Sequence, residues 1–84
     1  MDDTWKKFTQ QLPIVLKEER KKQNISHEKL AAISGLTRQA IGKIESGERN
    51  PQMVTIYRLV RGLGLTMEEF SKLVEARIHE TANQ

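Results

Sequence analysis

The sequence predicts an all-α fold, a compact bundle of five helices, on three observations. Apolar residues recur at intervals of three and four along most of the 84 residues, the spacing that gathers one face of a helix. No stretch alternates β-branched and polar residues between turn signals, as a half-buried strand would. Residues that start or end helices punctuate the apolar runs: Asn24, Ser26, Gly35, Thr37, Gly47, Gly64 and Thr66.

Trp5, Phe8, Leu12, Val15 and Leu16 mark the inner face of a first helix running to about Gln23, with Pro13 either kinking it or opening its regular part. Trp5 and Phe8 suit the core, a partner-binding surface being their other use. Asn24 suits a left-handed helix end, and Ser26 caps a second helix over 27–34 with Leu30, Ala31 and Ile33 inward. Gly35 supplies the turn, and Thr37 caps a third helix over 38–46 that Gly47 stops. Beyond the loop 48–51, Met53, Ile56, Leu59, Val60 and Leu63 define a fourth helix ending at Gly64. Thr66, Met67, Glu68 and Glu69 form a capping box at the start of a fifth helix over 67–79, with Phe70, Leu73, Val74 and Ile78 on its apolar face. Residues 81–84 are expected to fray. No repeat, low-complexity run or linker divides the chain, so 1–84 read as one domain.

Composition narrows the function classes. With no cysteine, neither disulfides nor a thiolate zinc site can stabilise the fold. His27 and His79 fall on separate helices and both aspartates, Asp2 and Asp3, stand at the N-terminus, so no metal, cofactor or catalytic constellation is expected and the protein reads as no enzyme. No apolar run reaches a membrane-spanning length and the first residues lack a signal-peptide layout, which predicts a cytoplasmic protein. The net charge of +3 is mild, but it is unevenly placed: residues 1–61 hold twelve Lys and Arg against seven Asp and Glu, and residues 62–84 hold two against four. A basic body with an acidic tail suggests different partners for the two. Lys17, Lys21 and Lys22 read as a solvated face that adds to attraction for a polyanion.

The third helix carries the sharpest signal. On a helical wheel Arg38, Gln39, Gly42, Lys43 and Ser46 share one arc, with Ala40, Ile41 and Ile44 elsewhere. Arg suits guanine O6 and N7, Gln suits adenine N6 and N7, and Lys reaches guanine or phosphate. The wheel alone fits a solvated amphipathic face equally well. Gly42 adds to it, because a mid-helix glycine costs about 1 kcal/mol relative to alanine; close approach of another backbone, or tight packing inside the protein, would each explain it.

Three segments then stand in order at fixed spacing: Ser26-His27-Glu28-Lys29-Leu30-Ala31, Ser34-Gly35-Leu36-Thr37 and Ile41-Gly42-Lys43-Ile44-Glu45-Ser46-Gly47-Glu48-Arg49-Asn50-Pro51. With Leu63-Gly64-Leu65-Thr66 they resemble the phage repressor and Cro type of helix-turn-helix, the xenobiotic-response-element (XRE) family, from about residue 12 to residue 70. The resemblance implies a lambda-repressor-like DNA-binding domain whose third helix enters the major groove. By position, base reading falls to Arg38, Gln39 and Lys43, with Ala40 able to meet a thymine methyl. Phosphate contacts fall to Ser26, His27, Thr37, Ser46, Arg49 and Asn50. His27 departs from the glutamine common at its position; a neutral imidazole still has one donor for a phosphate, a solvated first-turn residue being the alternative. Arg20 and Glu45 occupy positions where the family places an ion pair between the first and third helices.

The function implied is a sequence-specific, double-stranded DNA-binding transcriptional regulator, a repressor or controller acting as a homodimer on a pseudo-palindromic operator. Its setting is the cytoplasm and nucleoid of a bacterium, or a phage. The alternative is an antitoxin-type or protein-interaction module on the same fold, with a toxin or polymerase as protein partner. Candidates for the dimer seam are Tyr57, Met67, Phe70, Val74 and Ile78; equally, Tyr57 fits the rim of the core and the fifth helix fits a lid that only closes it.

Overall fold

Each helix begins and ends where its local chemistry directs. In the computed structural model, which describes residues 3–82, the order is α1 (Thr4–Lys22), α2 (His27–Ser34), α3 (Arg38–Glu45), α4 (Met53–Gly62) and α5 (Met67–Ala82), with no strand among the described residues. Helix α1 starts at Thr4, so Pro13 lies inside it and leaves the Thr9 carbonyl without the usual donor. Asn24 takes a positive φ of 57° after α1. At the start of α5 the Thr66 hydroxyl accepts from the Glu69 amide at 3.0 Å while the Glu69 carboxylate accepts from the Thr66 amide at 2.9 Å, the reciprocal pair of a capping box. These hydrogen bonds from Thr66 hold the exposed Glu69 carboxyl below its ordinary range. Thr81 and Ala82 continue α5, so of the four residues expected to fray two are helical; Asn83 and Gln84 lie outside the described residues.

Leu12, Val15 and Leu16 of α1 share one core with Leu30 and Ala31 of α2, Ile41 and Ile44 of α3, Leu59 and Val60 of α4, Leu63, and Phe70, Val74 and Ile78 of α5. Phe8 packs half-buried at its edge. Helix α1 packs mainly along α5, while α2 bridges α3 and α4.

Three apolar residues expected inside are outside. Trp5 is 61% exposed, with the Lys6 ammonium 5.5 Å from its ring centre; its register along α1 matches Phe8 and Leu12, but no other element among the described residues covers that first turn. Ile33 is 52% exposed because α2 turns Leu30, Ala31 and Ser34 inward instead, and the Ser34 hydroxyl is satisfied by the Leu30 carbonyl at 2.6 Å. Met53 is 66% exposed at the first turn of α4, whose buried stripe is Leu59 and Val60.

The expected dimer seam on α5 is corrected as well. Phe70 and Val74 are fully buried and Ile78 is 8% exposed, because the apolar face of α5 is spent on the protein's own core. Met67 is half-buried against the same cluster. Of the five seam candidates Tyr57 keeps most surface, at 51% exposed.

Phe70→Ala should accordingly cost about 3–5 kcal/mol in urea unfolding, whereas Trp5→Ala should change stability by less than about 0.5 kcal/mol. A large loss for Trp5→Ala would mean that the first turn of α1 is covered.

Candidate nucleic-acid interface

Two capped helices and a tight turn position the polar face of α3. The Ser26 hydroxyl caps α2 by accepting from the Lys29 amide at 3.0 Å, and the Thr37 hydroxyl caps α3 by accepting from the Ala40 amide at 3.0 Å. Between them Gly35 ends α2 in the left-handed region, with φ 71°, where a side chain is strained. Arg58 of α4 also donates to the Gly35 carbonyl at 3.0 Å, and a Cβ added at Gly35 would lie 2.2 Å from that guanidinium. The backbone conformation requires the glycine, and a side chain there would also displace the end of Arg58.

Ile41 and Ile44 anchor α3 from beneath, each 1% exposed. Arg38, Gln39 and Lys43 stand exposed on the opposite side, and Ala40 is half-buried between. Gly42 lies among them, and a Cβ placed there meets nothing within 4 Å. Tight packing inside the protein therefore does not explain this glycine. Ser46 caps the end of α3 and donates to the Lys43 carbonyl at 3.1 Å, and Arg49 and Asn50 follow, exposed.

Beneath this face lies a polar cluster. The Arg20 guanidinium donates twice to the Glu45 carboxylate, at 2.7 and 3.0 Å, and once to the Ile25 carbonyl at 2.8 Å; the two side chains are 9% and 5% exposed. His27 Nε2 stands 3.0 Å from the second Glu45 oxygen. Burial pushes the Glu45 carboxyl up, but hydrogen bonds from Arg20 and His27 and the attraction of their charge outweigh it and hold the group below the usual carboxylate range. The hydrogen bond to Glu45 pushes Arg20 up, against the opposing effect of burial. With Nε2 donating to Glu45, the His27 ring has Nδ1 left, a donor only when that nitrogen also carries a proton. The backbone N–H at the start of α2 is a donor at that position whichever form the ring takes.

Two contacts here had no sequence signal. Glu28 pairs with Arg38 at 3.1 Å, both side chains about two-thirds exposed, and Arg58 reaches Gly35 across 23 residues. An exposed pair contributes at most about 1 kcal/mol, less than the ~1–3 kcal/mol of a bidentate arginine–guanine contact, so Glu28 does not prevent Arg38 from turning to a base. Among the described residues no three His, Asp or Glu side chains gather as a metal site, and no helix is long and apolar enough to cross a membrane.

A helix-turn-helix family profile matches residues 16–70. This chain is an XRE-type helix-turn-helix protein. Its family is one of DNA-binding transcriptional regulators. The helix-turn-helix protein is similar to the uncharacterized HTH-type transcriptional regulator y4dJ of Sinorhizobium fredii, 34% identical over 50 residues that make up 60% of this chain and 65% of that one. It is similar also to the HTH-type transcriptional regulator PuuR of Escherichia coli, 38% identical over 55 residues, 66% of this chain and 30% of that one. The match thus spans less than two-thirds of either regulator. Among solved structures it resembles a point mutant of the restriction-modification controller protein C.Esp1396I, with a TM-score of 0.84 and 26% identity over 87% of this chain and 95% of that one.

Removing Glu45 strands a buried arginine. Glu45→Ala should cost about 3 kcal/mol and lower Tm by more than about 10 °C; an unchanged Tm would contradict a supporting role for the pair. The depressed carboxyl also sets a pH dependence. Its stabilisation is present above the unfolded value of about 4.3 and is lost as pH falls through the lower folded value. In urea titrations from pH 7 down to 3 the stability gap between the parent and Glu45→Gln should begin to narrow as the pH falls below about 4.3, and parallel curves would refute the linkage.

Proposed function

We propose that the protein is a sequence-specific, double-stranded DNA-binding transcriptional regulator, a repressor or controller that lays α3 in the major groove. One observation carries the reading: a bare polar face on a rigidly seated helix, interrupted by a glycine that the fold itself does not use. A mid-helix glycine costs about 1 kcal/mol, and close approach of DNA to the α3 backbone gives that cost a reason.

Arg38 and Gln39 read base edges, Lys43 serves base or phosphate, and Ala40 offers its methyl to thymine. Ser26, Thr37, Ser46, Arg49 and Asn50 take phosphates through hydroxyls, amide and charge, with His27 contributing its backbone N–H. Arg20 and Glu45 hold α3 at its angle. One short helix reads only a few base pairs, too few to discriminate against a genome of competing sites. Two copies on a pseudo-palindrome, with α3 helices about 34 Å apart, supply the missing information. Every partner in this scheme is soluble or nucleic acid, which suits a cytoplasmic regulator.

Selection of bound duplexes from a random library tests the whole reading and should return a two-fold symmetric site. Affinity for that site should fall about 1000-fold or more between 50 and 200 mM salt; no binding to any duplex at low salt would end the proposal. Gly42→Ala separates function from folding, and should raise stability by about 0.5–1 kcal/mol while weakening operator binding at least tenfold. Unchanged operator affinity in that variant would show that DNA does not approach α3 at this residue.

A further inference from the structure

His27 stands where the polar cluster beneath α3 meets the surface given above to DNA, and one of its two ring nitrogens is uncommitted. Nε2 lies 3.0 Å from Glu45 Oε1, an oxygen that also accepts from Arg20 Nη2 at 3.0 Å. An ionised carboxylate only accepts, so Nε2 carries the proton of that contact. Nδ1 makes no hydrogen bond with the described residues. Among them Gln11 Oε1 is the buried side-chain polar atom left without a partner, so Nδ1 is not enclosed and its edge of the ring meets solvent. The imidazole side chain is 37% exposed over a carboxylate that is 5% exposed. The ring is thus held from inside and open outside, one residue after the Ser26 cap of α2.

We propose that the charge state of His27 regulates DNA binding, a proton on Nδ1 turning the ring into a phosphate ligand so that DNA is held more tightly as pH falls from 8 to 6. The inference rests on the DNA reading above and adds a control to it. With one proton the ring turns the Nδ1 lone pair outward, and a phosphate oxygen finds another acceptor. With two, Nε2 keeps Glu45 while Nδ1 donates to the phosphate in a charge-assisted bond. Histidine is the side chain that makes this change between pH 5 and 8, and a phosphodiester stays anionic throughout that interval. A glutamine amide in the same place would offer two N–H donors at every pH; the imidazole makes its second donor conditional.

The surrounding charges set the sign. From α3, Glu45 favours the imidazolium, and from α1, Arg20 opposes it; paired at 2.7 Å, these two cancel much of each other's field at the ring. Within α2 the helix N-terminus opposes a positive charge, Glu28 is engaged with Arg38, and Lys29 follows, exposed. From α4, Arg58 lies at the opposite end of α2, on the Gly35 carbonyl. A phosphate at the outer edge adds a negative charge that is present only in the complex. DNA therefore holds the proton more firmly than the free protein does, and by reciprocity the proton strengthens the hold on DNA. Folding does not oppose the change, because protonation makes the contact with Glu45 charge-assisted on both sides.

Phosphate contacts carry no sequence information, so a fluorescent duplex of random sequence is a sufficient probe for the full-length protein. At fixed salt the parent should bind it about tenfold more tightly at pH 6 than at pH 8, and the slope of log K against log salt should be steeper by about 0.9 per protomer at the lower pH. His27→Gln should bind with nearly equal affinity at both pH values, and His79→Gln should keep the dependence of the parent. Tm of each protein should not fall between pH 8 and pH 6. Calorimetry of the parent in two buffers of different ionisation enthalpy needs no variant, and should show protons taken up on binding near pH 7. Equal affinity of the parent at both pH values, an unchanged salt slope, no proton uptake, or a His27→Gln variant that keeps the pH dependence would each overturn the His27 control and leave the DNA reading standing. No binding to any duplex at either pH would remove both.

Discussion

Arg20 and Glu45 meet in a nearly dry space between α1 and α3, and the surface above them depends on that contact. The guanidinium closes on both carboxylate oxygens and on the Ile25 carbonyl, so one side chain ties together α1, the turn before α2 and the end of α3. His27 adds the start of α2 to the same carboxylate. A buried ion pair of this kind is a poor source of net stability, because removing both charges from water offsets most of their attraction. What it provides is orientation: its bidentate geometry permits few arrangements, and α3 sits at an angle that keeps those hydrogen bonds.

Given that angle, the short helices act as a rigid mount. Eight residues make too short a helix to persist alone; α3 persists because Thr37 caps its start and Ile41 and Ile44 are buried beneath it. Once these residues face inward, helical periodicity leaves Arg38, Gln39 and Lys43 outward. Gly42 sits in that outward face with open space above it. The turn before α3 is held from the other side by Arg58, which uses the Gly35 carbonyl as its acceptor. The helix-turn-helix is therefore braced from α1 and from α4 at once.

The two amphipathic helices that follow have different fates. Helix α5 spends its apolar face on α1 and the shared core, with Phe70 and Val74 fully enclosed. Helix α4 buries Leu59 and Val60 and leaves Met53, Val54 and Tyr57 in solvent. A fold of this size has few elements with which to cover every apolar stripe, so exposure falls on the helix whose outer side has no neighbour among the described residues. The acidic helix α5 thus completes the core, while Ile33 of α2 and Met53, Val54 and Tyr57 of α4 stay exposed.

What the sequence determined by itself is local. Ser26, Thr37 and the Thr66–Glu69 box set helix starts because a cap is a contact between residues three apart, and Asn24 and Gly35 set helix ends because their backbone tolerates positive φ. The polar face of α3 was legible for the same reason, since periodicity alone places Arg38, Gln39 and Lys43 together. Trp5, Ile33 and Met53 were not legible as surface, and Phe70, Val74 and Ile78 were not legible as enclosed. Periodicity states which residues share a side, and only packing states whether another element lies there to cover it. The same limit hid Glu28 beside Arg38, Arg58 beside Gly35 and His27 beside Glu45. Those contacts join residues 10, 23 and 18 positions apart, and the tertiary structure alone brings them within hydrogen-bonding distance.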